Sequence, residues 1–159
     1  MDGMGMAATV VAAQASRADR GGDEVFLTMT VAGQGCAVPV LLVRDVLGPQ
    51  AITRIPLAPP EVAGSLNLRG RIVTAVDLRL RLGLPQRDAA AMSVVVEQGG
   101  ELYSLLVDEV GEVIPLAGTA FEPNPPTLDA GWRDVSRGVH RQAERLLIAL
   151  DVERVLAIG

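Results

Sequence analysis

The chain has 159 residues, of which 49% are hydrophobic and 21% charged, and its formal net charge is −5. This length and composition supply enough apolar surface for one sizeable core or two small ones, so disorder of the whole chain is excluded. All fourteen basic residues are arginine and only four residues are aromatic. Lysine-dependent catalysis is therefore excluded, and nucleic-acid binding is disfavoured, because an acidic chain poor in aromatics lacks both the basic surface and the stacking platforms.

The first 23 residues are rich in alanine and glycine and show no periodicity, so we predict a disordered or weakly helical arm over residues 1–23. The apolar stretch Met6 to Ala13 is too short to span a bilayer, and Asp2 stands where a signal peptide needs basic residues. The single cysteine, Cys36, forms no disulfide within the chain and is predicted to be buried and inert. These features favour a reducing, cytoplasmic location.

Two hairpins of similar pattern predict a duplicated β-rich domain that starts at residue 24. Val25 to Val31 and Cys36 to Val40 form the first pair of strand-like runs, and Ser93 to Glu97 and Leu102 to Val107 form the second. We therefore divide the domain 24–159 into two small barrels, the first over roughly 24–90 and the second over roughly 91–159.

The ends of the two halves also correspond, because Ile72 to Leu78 is similar to Leu146 to Val152. Each run follows an Arg-Gly pair, at Arg69-Gly70 and at Arg137-Gly138. Neither run alternates between polar and apolar residues, so each is predicted to be a strand that is covered on both faces.

Asp77 and Asp151 stand at the ends of these two runs and are predicted to cap short helices, since an N-cap carboxylate accepts hydrogen bonds from the first backbone N–H groups. The first of these helices should end at Gly83. A further connecting helix is predicted over Pro59 to Gly64, with proline at its first position and glycine at its end. The proline-rich stretch 120–126 is predicted to be extended and at the surface.

Asp77, Asp108 and Asp151 are the candidate acid–base residues, and two of them close together would indicate an aspartate-dependent hydrolase. None of the three lies in an Asp-Thr-Gly or Asp-Ser-Gly setting, and helix capping accounts for two of them. His140, the sole histidine, is predicted to be a surface side chain without a partner ligand for a metal. Trp132 is predicted to cover the second barrel rather than to form an interface. We predict no catalytic residues, no metal and no cofactor.

Six blocks of the sequence, taken in order, resemble the CheW-type chemotaxis coupling family, and the resemblance runs from Val25 to the C-terminus. It implies a mainly β fold of two intertwined, SH3-like, five-stranded barrels with short connecting helices and with strands exchanged at the junction. The blocks are Pro59-Pro60, Gly64, Asn67-Leu68-Arg69-Gly70, Val76-Asp77-Leu78-Arg79, Leu106-Val107-Asp108 and Leu147-Ile148-Ala149-Leu150-Asp151.

The resemblance also implies a function without catalysis. Family members are cytoplasmic scaffolds, recruited to membrane-associated arrays, that link the cytoplasmic tip of chemoreceptors to the regulatory domain of a CheA-type histidine kinase. The resemblance implies neither binding of nucleic acid nor direct insertion into a membrane. Two alternatives stay open: an adaptor of the same family in a pathway that controls surface motility or development, and the aspartate-dependent hydrolase.

Carried over position by position, the resemblance assigns receptor binding to Val43, Asp45, Val46, Leu68 and Arg69. It assigns kinase binding to Gly64, Leu106 and Val110. Asp45 stands where the family usually has glutamate, and Leu47 where a basic residue is frequent. An arginine at a hairpin tip can present its planar fork to a carboxylate of a partner, but Arg69 could equally brace the barrels internally.

Overall fold

The computed structural model describes residues 24–87, 89–117, 121–142 and 144–158, so the predicted arm 1–23 lies outside the described residues. Within these ranges, no helix is long and apolar enough to cross a membrane. The strands are β1 Glu24–Val31, β2 Gln34–Pro39, β3 Val43–Leu47, β4 Val62–Leu68, β5 Arg71–Asp77, β6 Met92–Gln98, β7 Glu101–Val107, β8 Glu109–Leu116, β9 Phe121–Glu122, β10 Ser136–Arg141 and β11 Leu146–Leu150. The helices are α1 Leu78–Arg81, α2 Ala130–Val135 and α3 Val152–Val155, and a 3-10 turn spans Val40–Leu42.

The strands form two sheets, and each sheet takes strands from both predicted halves of the chain. The order in sheet 1 is β8-β1-β2-β11-β10-β9, and the order in sheet 2 is β3-β6-β7-β5-β4. Both predicted hairpins, β1–β2 and β6–β7, are present. In each sheet the second hairpin strand pairs in parallel with the strand that precedes a capping aspartate, β2 with β11 and β7 with β5. The mainly β fold is confirmed, with the two-residue β9 added to sheet 1.

Three apolar layers hold these sheets together, and the middle layer is shared by both. Along β6, Val94 and Val96 face the shared layer, whereas Val95 faces the interior of sheet 2. Along β11, Ile148 faces the shared layer and Leu147 the interior of sheet 1. A strand at this junction is covered on both faces, and each fully buried valine or leucine contributes about 1.5–3 kcal/mol relative to exposure.

The two capping aspartates behave as predicted. Oδ1 of Asp77 accepts a hydrogen bond of 2.9 Å from the backbone N–H of Arg79, and α1 ends before Gly83, whose φ is +75°. Oδ1 of Asp151 accepts a hydrogen bond of 3.2 Å from the backbone N–H of Arg154 at the start of α3. Each carboxylate thus satisfies a backbone donor that the short helix cannot satisfy itself.

The predicted connecting helix over Pro59 to Gly64 is wrong. A turn, in which the N–H of Val62 donates to the carbonyl of Pro59 at 3.0 Å, leads directly into β4. Gly64 lies inside β4 at a β-bulge, where the register against β5 shifts. The strand forms because residues 62–68 can pair with β5 along their whole length, which outweighs a weak local helix signal.

The proposed match of the two Arg-Gly pairs is also wrong. Arg69-Gly70 forms a hairpin turn, whereas Gly138 lies inside β10 at a bulge against β11. The glycines that correspond are Gly64 and Gly138, with φ of +149° and +144°. Each stands the same number of residues before its capping aspartate, and a Cβ on either would press on a carbonyl oxygen of a neighbouring strand or loop.

Three isolated residues can be compared with their predictions. Cys36 is fully buried, as predicted, and burial, with the charge of Asp108 as a second cause, raises the pKa of its thiol to about 12. Trp132 on α2 is buried in the shared layer. His140 is not the surface side chain predicted: it is half-buried, its ring packs edge-on against Phe121 at 5.9 Å, and its Nδ1 has no hydrogen-bond partner among the described residues.

Gly64→Ala should destabilise the protein far more than Gly33→Ala. Both glycines have positive φ, but residue 33 has open space around it, whereas a Cβ at residue 64 would overlap the carbonyl of Thr53. We expect a loss of about 1 kcal/mol for Gly33→Ala and of at least about 3 kcal/mol for Gly64→Ala, measured by urea unfolding. Equal losses would show that the backbone at Gly64 is not confined by Thr53.

Candidate functional site

The β4–β5 hairpin ends in a two-residue turn formed by Arg69 and Gly70. Their φ angles are +51° and +85°, the combination of a type I′ turn, in which the first position normally holds asparagine, aspartate or glycine. Oδ1 of Asn67 accepts a hydrogen bond of 2.9 Å from the N–H of Gly70 and fixes the turn. An arginine in this backbone conformation costs roughly 1–3 kcal/mol, and such strain in a native structure points to a functional position.

Arg69 forms an ion pair with Asp45 of β3, with 3.2 Å between Nη2 and Oδ2. Because β3 and β4 are the two edges of sheet 2, this pair joins the edges. A bulge between Val43 and Asp45 turns the carboxylate inward, and its Oδ1 accepts a hydrogen bond of 2.9 Å from the N–H of Val46. Oδ2 has no partner with hydrogen-bond geometry among the described residues, so the guanidinium is its main compensation.

The two members of this pair differ sharply in exposure, since the side chain of Asp45 is 1% exposed and that of Arg69 is 64% exposed. A buried carboxylate without a cation is costly, so Arg69 braces the barrel. The same guanidinium keeps most of its surface in solvent and retains donors for a partner. The geometry is therefore compatible with both roles of Arg69.

The residues assigned to receptor binding lie together at one end of sheet 2, on β3 and on the β4–β5 hairpin. Val43 and Val46 are half-buried and pack against the shared layer, and Leu68 is buried inside sheet 2. The residues assigned to kinase binding are dispersed: Gly64 and Leu106 are buried within sheet 2, and Val110 is half-buried on β8, an edge of sheet 1.

Two exposed residues of the hairpin were missed by sequence analysis. Ile72 belongs to the run predicted to be covered on both faces, and for this residue the prediction is wrong, because it is 69% exposed. Arg71 beside it is also exposed, and its side chain makes no ion pair or hydrogen bond within the described chain. Neighbouring polar residues Asn67 and Arg69 were the signal that this end of the run leaves the core.

A groove of about 220 Å³ lies where the two sheets meet, close to the start of β3. Leu42 and Gln98 line its side on sheet 2, and Leu150 and Val152 line its side on sheet 1. Since Leu42 immediately precedes Val43, this groove adjoins the receptor-assigned segment. Its lining is of the mixed apolar and polar kind found in binding clefts.

A second charged cluster, formed by Asp77, Arg79, Arg87 and Asp108, ties the two sheets together. The carboxylate of Asp108 accepts hydrogen bonds from Nη2 of Arg79 at 2.6 Å and from Nε of Arg87 at 2.9 Å. It also accepts one of 2.8 Å from the backbone N–H of Ala32 in the β1–β2 turn. Arg87 also reaches Oδ2 of Asp77 at 3.1 Å. The hydrogen bond from Arg79, helped by those from Ala32 and Arg87, holds the pKa of Asp108 well below its usual range despite partial burial.

This cluster does not favour the aspartate-dependent hydrolase. An aspartyl dyad needs two carboxylates that share one proton, whereas Arg87 stands between Asp77 and Asp108 and donates to both. A carboxylate whose pKa is lowered by arginines stays ionised and is a poor general acid. In the described part of the chain, no group of three or more His, Cys, Asp or Glu side chains is placed to hold a metal ion.

Acid should unfold the protein partly through Asp108. Its pKa is lower in the folded state than the value of about 3.9 expected in the unfolded state, so its stabilisation is complete above that value and is lost as the pH falls below it. Asp108→Asn should lower the free energy of unfolding by about 2 kcal/mol at pH 7. It should also flatten the fall in stability below pH ~4, measured by urea unfolding from pH 7 to pH 3.

The control is Asp134→Asn, at an exposed position of α2. This variant should keep the wild-type stability at pH 7 and the wild-type acid profile. A wild-type acid profile for Asp108→Asn would show that the cluster contributes nothing to the pH dependence.

Comparison with known proteins gives a consistent result over nearly the whole described chain. Residues 25–158 match the family model of the CheW-like domain. Chemotaxis protein CheW of Bacillus subtilis is 31% identical over 136 residues, which cover 84% of this chain and 86% of that protein. Chemotaxis protein CheW of Helicobacter pylori is 29% identical, with 82% of this chain and 80% of that protein covered.

Among solved structures, the crystal structure of the scaffolding protein TtCheW from Thermoanaerobacter tengcongensis superposes with a TM-score of 0.77 at 27% identity. The match covers 86% of this chain and 94% of that one. Sequence and fold thus agree, and the chain belongs to the CheW-like domain family.

Proposed function

We propose that this protein is a non-catalytic chemotaxis coupling scaffold that links chemoreceptors to a CheA-type histidine kinase. The observation that carries the proposal is the match to the CheW-like domain over residues 25–158, with relatives that are named chemotaxis proteins and a structural neighbour described as a scaffolding protein. The protein would act in the cytoplasm, where receptor arrays present their signalling tips.

On the receptor side, Arg69 is the residue with the largest exposed surface among those proposed. Val43 and Val46 would contribute through their half-buried side chains on β3, and Leu68 would support the turn from inside. Asp45 is too deeply buried to touch a partner, so its part would be to hold the guanidinium of Arg69 in place. The groove beside Val43 would extend this surface.

On the kinase side, Val110 is the proposed residue with surface to offer, because it is half-buried on the edge strand β8. Gly64 and Leu106 are buried, so they would act by shaping sheet 2 rather than by contact. Each contact of this size is weak alone, and many couplers in one array would gain strength through multivalency.

The alternative within the same family is an adaptor for surface motility or development. Deletion of the gene separates the two functions. If the protein is a chemotaxis coupler, its loss should abolish directed swimming in an attractant gradient. Loss of surface movement with intact swimming chemotaxis would favour the alternative.

The sharpest test separates recognition by Arg69 from its role as a brace. Arg69→Gln alone leaves Asp45 buried without a cation and should lower the free energy of unfolding by about 1–3 kcal/mol. The double variant Asp45→Asn, Arg69→Gln removes both charges and should recover most of that loss. If Arg69 contacts the receptor, both variants should bind it at least roughly tenfold more weakly, measured by co-sedimentation with receptor-containing membranes.

Arg44→Gln is the matched control, because Arg44 is an exposed arginine on the same strand as Asp45 and is paired with Glu97. It should bind receptor as the wild type does, and all variants should still bind the kinase. A double variant with wild-type receptor binding would make Arg69 a brace only. A wild-type protein that sedimented with neither receptor membranes nor kinase would disprove the coupling function.

A further inference from the structure

The end of the β4–β5 hairpin extends beyond the paired part of β7, the strand that flanks it. β7 pairs with β5 only from Thr74 onward, so Arg71 and Ile72 precede the paired region. Val73 points into the interior of sheet 2, and side chains alternate along a strand, so Ile72 points outward. We call Arg69, Arg71 and Ile72 the tip patch.

The tip patch combines an isoleucine that is 69% exposed with two guanidinium groups. The side chain of Arg71 has no ion pair or hydrogen bond among the described residues, and that of Arg69 is paired only with the buried Asp45. The chain as a whole has a net charge of −5, so this concentration of positive charge is local. A complementary partner therefore carries carboxylates beside an apolar side chain.

The patch is also rigid. The type I′ turn, the hydrogen bond from the N–H of Gly70 to Asn67 and the ion pair of Arg69 with Asp45 fix its backbone and one of its side chains. A surface that is ordered before binding loses little conformational entropy on association. An ordered surface of this kind therefore presents an anchor residue at a smaller entropic cost than a mobile loop would.

We propose that the tip patch binds an acidic, amphipathic helix of the receptor, with Ile72 as the apolar anchor and Arg71 as a second cation beside Arg69. A helix supplies this chemistry because residues three or four apart stand side by side, which places a carboxylate next to an apolar side chain. This inference rests on the proposed coupling function, since the helix belongs to the receptor.

An anionic membrane surface would attract the same two guanidiniums. It is disfavoured because the remaining surface of an acidic chain is repelled by anionic lipid, and a single isoleucine buries little area in a bilayer. Binding to anionic vesicles is therefore tested as the competing outcome.

The loop before β4 offers a matched control surface. It also combines exposed apolar side chains, Ile55 and Leu57, with an exposed arginine, Arg54, and Leu57 has a positive φ of +62°. Thr53 pairs antiparallel with Ser65, so Arg54 and Leu57 lie toward the opposite end of β4 from the tip patch. The control surface thus has the same chemistry without the connection to Arg69.

The experiment compares Ile72→Ser and Arg71→Glu with Leu57→Ser and Arg54→Glu in the full chain. The probe is the purified cytoplasmic fragment of the chemoreceptor encoded with this protein, titrated at low and at physiological salt. We expect Ile72→Ser and Arg71→Glu each to raise the Kd roughly tenfold, and Arg71→Glu to reduce the salt dependence. Leu57→Ser and Arg54→Glu should stay within about twofold of wild type.

The outcomes are separable. Wild-type binding that is unaffected by Ile72→Ser and Arg71→Glu, or weakened equally by the control variants, overturns the tip patch and leaves the coupling function intact. Wild-type protein that fails to bind the fragment overturns both proposals. Sedimentation of the wild type with anionic vesicles in the absence of the fragment, lost in Arg71→Glu, replaces the helix with a lipid surface.

Discussion

Burial of valine, leucine and isoleucine side chains between the two sheets is the interaction on which the rest of the structure depends. The hairpins β1–β2 and β6–β7 each contribute residues to this shared layer, and β11 does so through Ile148 and Leu150. Because the other face of these strands is also covered, a hairpin cannot leave its sheet without exposing two apolar layers at once. The exchange of strands between the halves is thereby fixed, and with it the identity of the edge strands.

The position of the candidate site follows from those edges. Sheet 2 ends in β3 on one side and β4 on the other, and the ion pair of Asp45 with Arg69 joins them. The cation that closes the barrel thus also keeps most of its surface available to a partner. Asp108 likewise makes several contacts with one charged group at the sheet junction, where its carboxylate binds Arg79, Arg87 and the turn of β1–β2. At the first place the carboxylate is buried and its arginine lies at the surface, whereas at the sheet junction Arg79 and Arg87 are themselves mostly buried.

Features set by neighbours in sequence could be predicted, whereas those set by contacts distant in sequence could not. The two hairpins, the capping aspartates and the burial of Cys36 follow from local turn chemistry, cap preferences and hydrophobicity. The strand at Gly64 was missed because its pairing with β5 and its contact with Thr53 override a plausible helix start. Burial of Asp45 depends on a bulge that leaves no mark in the sequence. Exposure of Ile72 depends on where β7 stops pairing, which the sequence indicates only through the polar neighbours Asn67 and Arg69.

The strand exchange has a consequence for synthesis of the chain on the ribosome. β2 needs β11 as its neighbour, so the edge of the earliest hairpin stays open until Leu146 to Leu150 have been translated. Folding dominated by such distant pairings is slow, and an unpaired edge invites aggregation and proteolysis in the meantime. A prematurely terminated product that lacks β10 and β11 cannot complete sheet 1. Completion of that sheet therefore depends on translation of the chain through β11.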